Sequence, residues 1–131
     1  LRRTSLYKDD GKLASEIMER HDFVDRAATM LEEIQQALYD EARSRLDGSI
    51  RRGVETFGEL EKFFDEGGKY PGWVEVQWSR PTGEALNKVV ERLKALKLTI
   101  RNVPMDAPAA DGNCIFTGDK AVERILVARA Y

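Results

Sequence analysis

One cysteine, one histidine and the lack of any long apolar run set the first limits on this chain. A lone Cys114 permits no internal disulfide and offers no sign of an oxidising compartment, so a cytoplasmic location is expected. His21 stands far from Cys114 in sequence, neither sits in a motif for nucleophilic catalysis, and His21 has no second metal ligand at helical spacing. No stretch approaches the roughly 20 apolar residues that cross a bilayer, and no signal-peptide pattern opens the chain; no membrane partner is expected. Walker and dinucleotide glycine patterns are missing. Gly67-Gly68 follow a helical pattern where a phosphate cradle would precede one. Net charge is −2, which excludes a global field drawing the chain onto nucleic acid or anionic membrane. RNA contact would need a local patch, for which Arg51, Arg52 and the group Lys88, Arg92, Lys94 and Lys97 are the candidates; ordinary solvation is the simpler reading. The carboxylates on the helices fall on polar faces, where solvation again suffices. What remains is a binding or structural module rather than a catalyst.

With 131 residues, 42% of them hydrophobic and 34% charged, the chain is long enough for one soluble domain with its own core. It opens on Leu1 and not on methionine, and the expectation is that it continues a longer polypeptide. Residues 1–7 read as the end of a strand, and 8–12 as a turn on an Asp-Gly signal; this segment is the tail of a preceding domain or flexible. From Asp22, a plausible N-cap, apolar residues recur at Val24, Ala27, Leu31, Ile34, Leu38, Ala42 and Leu46, the spacing of a long helix that Asp47-Gly48 stops. Residues 50–55 are a short strand candidate. Thr56 and Glu59 then form a capping box that opens a helix burying Leu60, Phe63 and Phe64. Residues 73–78 alternate, with Val74, Val76 and Trp78 on one face, and so predict a strand. Trp73, on the other face, lies over an edge, against another domain or on a ligand. A further helix starts at Pro81-Thr-Gly-Glu84, with a stripe of Ala85, Leu86, Val89, Val90, Leu93 and Leu96. Residues 98–103 are a strand stopped by Pro104, 105–112 a loop, and 124–130 the last strand. After the long helix the order is β-α-β-α-β-loop-β, which implies a mixed sheet with helices on one face.

The last strand runs directly to Tyr131. Chain ends usually fray, and an end composed of apolar residues suggests a fixed terminus whose ring and carboxylate have a role. The alternative is an edge strand that merely comes last.

Taken together, residues 31–42, the capping segment 54–64, Trp78, Thr99-Ile-Arg-Asn-Val-Pro104 and Arg124-Ile-Leu-Val-Ala-Arg-Ala-Tyr131 resemble the C-terminal domain of prolyl-tRNA synthetases of the archaeal and eukaryotic type. The resemblance covers most of residues 22–131. It makes residues 1–21 the tail of the preceding anticodon-binding domain and a linker. It implies an α+β fold: a long N-terminal helix, then a two-layer β-α-β-α-β-β sandwich with a mixed four-stranded sheet, like the C-terminal domain of a translation initiation factor. The domain would be a non-catalytic appendix to a class II ligase that attaches proline to tRNA(Pro) with ATP and Mg²⁺, all of them bound elsewhere in a homodimeric parent. It would brace the catalytic and anticodon-binding domains. Its last residue, here Tyr131, would direct its carboxylate towards the active site.

Many members of that family hold a structural zinc with four cysteines, a Cys-x4-Cys pair after the tryptophan and a Cys-x2-Cys pair before the last strand. Here those positions are Ser79 and Glu84, and Cys114 and Thr117. Three of four thiolates are missing, and a closed structural zinc site needs four good N or S ligands. No metal is expected, and Ile115, Phe116 and Trp78 are expected to hold the loop by packing. The competing readings are a free-standing RNA-binding module, which would show salt-dependent RNA affinity, and a dimerisation element.

Overall fold

The computed structural model describes residues 17–68 and 71–130. The strand end and turn expected in residues 1–12, and Tyr131, lie outside the described residues. The chain divides into two compact units, Leu1–Asp47 and Gly48–Tyr131.

In the first unit, α1 spans Arg20–Gly48, a rod of about 43 Å at ~1.5 Å per residue. It starts two residues before Asp22, because the Phe23 amide donates to the Glu19 carbonyl at 3.0 Å and so closes an earlier turn. Asp22 is therefore not the cap but a first-turn carboxylate, favoured there by the positive end of the helix dipole. Pairs four residues apart line the polar surface: Gln36 donates to Asp40 at 2.8 Å, Arg43 to the Tyr39 hydroxyl at 3.1 Å and Arg45 to Glu41 at 2.5 Å. No described residue of α1 is buried; Leu31, Leu38 and Leu46 of the periodic stripe are exposed.

The second unit carries β1 (Ile50–Arg51), α2 (Phe57–Glu66), β2 (Trp73–Trp78), α3 (Gly83–Ala95), β3 (Leu98–Asn102) and β4 (Glu123–Arg129). The four strands form one sheet in the order β1-β2-β4-β3. β1 and β2 are parallel, while β4 is antiparallel to both β2 and β3. The mixed α+β architecture expected from the sequence is the one observed. Val74, Val76 and Trp78 of β2 and Ile125 and Val127 of β4 share one core with Phe57, Leu60 and Phe64 of α2 and Val89 and Leu93 of α3. Both helices thus cover the same sheet face.

Three local expectations change. The strand expected over 50–55 shrinks to two residues; Gly53, at φ 75°, turns the chain out of the extended path. On α3, Leu86, Val89, Leu93 and Leu96 face inward, whereas Ala85 and Val90 are exposed at the flanks of the stripe. The third change concerns the chain end. β4 is no edge strand: it sits between β2 and β3, with Ile125, Leu126, Val127 and Ala128 all buried. Four consecutive apolar residues suit a strand covered on both faces. The edges fall instead to the two-residue β1 and to β3, whose register slips between Ile100 and Asn102; short and irregular edges resist pairing with other chains.

The turn into β2 depends on Gly72, at φ 94°. A Cβ there would lie 2.3 Å from the Ser49 carbonyl oxygen, which accepts the Trp73 amide at 2.9 Å. The capping box of α2 is complete. The Glu59 amide donates to Thr56 Oγ1 at 3.2 Å, and the Glu59 carboxylate accepts from the Glu55 and Thr56 amides at 2.8 and 3.2 Å. Those two backbone amides hold the Glu59 carboxyl below its ordinary value of 4.5. Because the folded value is the lower one, this contribution is fully present above the ordinary glutamate range and is lost as pH falls through the lowered value. Thr56→Ala is expected to destabilise the chain by about 1 kcal/mol. Glu59→Gln should flatten the acid limb of stability between those two pH values, as measured by urea unfolding across the acid range.

Candidate functional site

Ser79, Cys114 and Thr117 lie together near the start of β4, and Arg129 and Ala130 mark its other end. At the far end of β4 lies Ala130. Three backbone anchors hold this run-in. The Ala130 amide donates to the Lys97 carbonyl at 2.7 Å. Arg101 donates from Nη2 to the Arg129 carbonyl, and Arg129 donates from Nη2 to the Phe64 carbonyl in the last turn of α2. That last bond matters twice. α2 has no basic residue of its own in its final turn, and a guanidinium there satisfies an orphan carbonyl at the negative end of the helix. It also ties the last turn of α2 to the final residues of the chain. Arg129 was not picked out from the sequence; an arginine closing the apolar run Ile125–Ala128 was the available signal.

At the other end of β4 lies the loop around Cys114. Its backbone is closed by Cys114 donating to the Asp119 carbonyl at 2.7 Å and Gly118 to the Cys114 carbonyl at 2.9 Å, with Asn113 and Lys120 in an isolated antiparallel bridge. Gly118, at φ 79°, takes the left-handed conformation the turn requires. The loop is fastened to β2 by the Ile115 amide on the Gln77 carbonyl at 3.4 Å and the Val122 amide on the Trp78 carbonyl at 2.8 Å. Phe116 packs edge-on against Trp78 and Phe57, with ring centroids 5.6 and 5.8 Å away. Arg92 stacks its guanidinium 3.6 Å from the Phe57 ring centre and reaches the Phe116 carbonyl at 3.4 Å. Trp78 and Phe116 therefore hold the loop as expected, joined by Phe57 and Arg92.

Of the four positions matched to the family's zinc ligands, three converge. Ser79 Oγ and Thr117 Oγ1 are 3.1 Å apart, one donating to the other, and Cys114 is buried beside them. Burial alone would raise the Cys114 thiol. Hydrogen bonds from the Ser79 and Thr117 hydroxyls and from the Phe116 and Thr117 backbone outweigh it, and the thiol lies below its ordinary value of 9.0. Glu84 is elsewhere: it is exposed in the first turn of α3 and paired with Lys88 at 2.9 Å. Two neutral hydroxyls and one thiol are a poor donor set for zinc, and the fourth position points its charge at a lysine, so the residues present do not fit that metal. Among the described residues no three His, Cys, Asp or Glu side chains gather as a metal site.

The candidate basic patch is dispersed. Lys88 is paired with Glu84, Arg92 is engaged at Phe57, and Arg52 lies 3.8 Å from Glu75. Glu75 is the carboxylate that sequence reasoning missed. It stands on the sheet face opposite Val74 and Val76, only 8% exposed, and accepts from Arg124 at 3.1 Å. Arg124 also reaches Asp111 at 3.0 Å, and Asp111 accepts from Gln77 at 2.5 Å. These contacts lock the loop before Gly112 across β2 and β4. A glutamate between two valines carries no sequence mark of burial.

The fold and site define an α+β module in which, among the described residues, the ordered geometry lies in packing and capping contacts. Comparison with known proteins is specific. No protein-family model matches the chain. The proline--tRNA ligase of Sphingomonas elodea is 60% identical over 131 residues, covering all of this chain and 26% of the relative. That of Bdellovibrio bacteriovorus is 33% identical over 125 residues, covering 95% of this chain and 24% of the relative. A solved prolyl-tRNA synthetase from Cryptosporidium parvum, complexed with L-proline and AMP, superposes with a TM-score of 0.73 at 19% identity, over 92% of this chain and 24% of its own; this likeness shows the shared fold. The chain is thus homologous along its whole length to one segment of proline--tRNA ligases, and it spans about a quarter of the length of the curated relatives it matches.

Arg129→Met keeps the aliphatic stem and removes the bond to the Phe64 carbonyl. It should cost about 1.5–3 kcal/mol, the range for a hydrogen bond from a charged group, read by urea unfolding, and should increase hydrogen exchange at the Ala130 amide.

Proposed function

We propose that this chain is the non-catalytic C-terminal domain of a prolyl-tRNA synthetase of the archaeal and eukaryotic type. The observation that carries the reading is 60% identity over all 131 residues to a proline--tRNA ligase. The likeness of fold supports it independently of identity. In this reading residues 1–21 are the tail of the anticodon-binding domain and a linker, and 22–131 are the C-terminal domain. The parent is a cytoplasmic homodimer that binds ATP and Mg²⁺ in its catalytic domain and joins proline to tRNA(Pro). The present domain braces the catalytic and anticodon-binding domains.

Tyr131 is the residue assigned to active-site support. The anchoring of Ala130, Arg129 and Arg101 around the strand end would limit the positions open to the next residue, which suits a carboxylate that must be delivered to a fixed place. The free-standing RNA-binding reading finds less support, because three of its candidate basic residues are engaged within the fold.

The test is prolylation of tRNA by the full-length polypeptide with and without Tyr131. Deletion is expected to lower kcat/KM at least about tenfold, the effect of losing roughly 1.4 kcal/mol of transition-state support, with folding and oligomeric state unchanged. Full activity without Tyr131 would remove the role given to the terminal carboxylate. Failure of the intact polypeptide to charge tRNA with proline would overturn the family function itself.

A further inference from the structure

We propose that the contact between Ser79, Cys114 and Thr117 is a metal-independent clamp that replaces the family's zinc in joining the β2–α3 turn to the loop before β4. The two segments that the zinc would cross-link are the ones these three side chains connect: Ser79 follows the last residue of β2, and Cys114 and Thr117 lie in the loop. The hydroxyl pair bridges them at 3.1 Å. Thr117 Oγ1 also accepts the Asp119 amide at 3.3 Å, so the same oxygen shapes the turn at Gly118. A second cross-link runs parallel to the first. Arg80, the neighbour of Ser79, makes a two-pronged contact with Glu123 at 2.7 and 2.5 Å, tying the same turn to the first residue of β4.

The substitution is chemically coherent. A four-cysteine zinc site would gather four thiolates around one divalent cation between these segments. Here the part-buried hydroxyls of Ser79 and Thr117 bond to each other instead, with Cys114 buried in the same loop and the ring of Phe116 packed against Trp78. Glu84, released from the cluster, is free to take Lys88 on the surface of α3. The zinc it replaces is taken from the family reading, whereas the bridge rests on the geometry of this loop, so a parent that failed to charge tRNA would leave the clamp itself standing.

The test uses the full-length polypeptide. Zinc content is measured, and hydrogen exchange at the Cys114 and Gly118 amides is followed with and without EDTA, together with the reaction of Cys114 with a thiol reagent. The clamp predicts substoichiometric zinc and no change in exchange or thiol reactivity on chelation. It also predicts about tenfold faster exchange at both amides in Thr117→Val and in Ser79→Ala, the effect of losing one or two modest hydrogen bonds. One zinc per chain, with chelation speeding exchange and exposing Cys114, would overturn the proposal. So would wild-type exchange in both variants. Should Thr117→Val fail to fold, Ser79→Ala and the chelation series on the wild type still decide the matter.

Discussion

The pairing of β4 on both sides is the constraint on which the second unit depends. Of its strands, β4 alone hydrogen-bonds to both β2 and β3, so it joins an edge to the rest of the sheet. Ile125 and Val127 supply part of the helix-covered core, while Leu126 and Ala128 are buried on the other face. Each such side chain contributes roughly 1.5–3 kcal/mol when fully buried, less for alanine, and the ladder cannot shift by one residue without exchanging the two faces. β3 can join the sheet only through β4. Contacts from Arg129, Arg101 and Lys97 hold the far end of β4 in place.

The loop around Cys114 follows from the same requirement. A central strand needs a defined entry point, and 105–112 is a connection of three alanines, one proline and two aspartates with little structure of its own. The bridge between Asn113 and Lys120, the bonds to Gln77 and Trp78, and the ring of Phe116 fix the register just before Glu123. Side-chain hydroxyls and aromatics can meet that need without a metal because α2, β2 and α3 already bring Phe57, Trp78 and Arg92 to the spot.

On the other sheet face, register is secured by charge. Glu75 and Arg124 are near neighbours across the β2–β4 ladder, and Arg124 extends the contact to Asp111. A largely buried ion pair adds little net stability over an apolar pair, but it penalises alignments that leave either charge alone. Its presence suits a sheet whose strands are short and whose apolar residues would tolerate slippage.

By itself, the sequence determined the elements whose signals are local. The capping box at Thr56 and Glu59 is written in adjacent residues, and it formed as written. The alternation of β2 and the three-and-four spacing of α1 and α3 depend on period alone, and these elements are present with small shifts at their ends. The resemblance to prolyl-tRNA synthetases was likewise carried by short segments in a recognisable order, and 60% identity along the whole of this chain to one segment of a proline--tRNA ligase agrees with it. Tertiary structure decided what depends on distant partners. Only the sheet order makes β4 central, since strand order is set by which faces can be buried together and not by position in the chain. Only the folded sheet buries Glu75 beside Arg124, and only the meeting of the β2–α3 turn with the Cys114 loop gives Ser79 and Thr117 to each other. Those pairs are 49 and 38 residues apart in the chain. A side chain's partner at that separation is a property of the fold, because loop closure leaves no trace in the local pattern of residues.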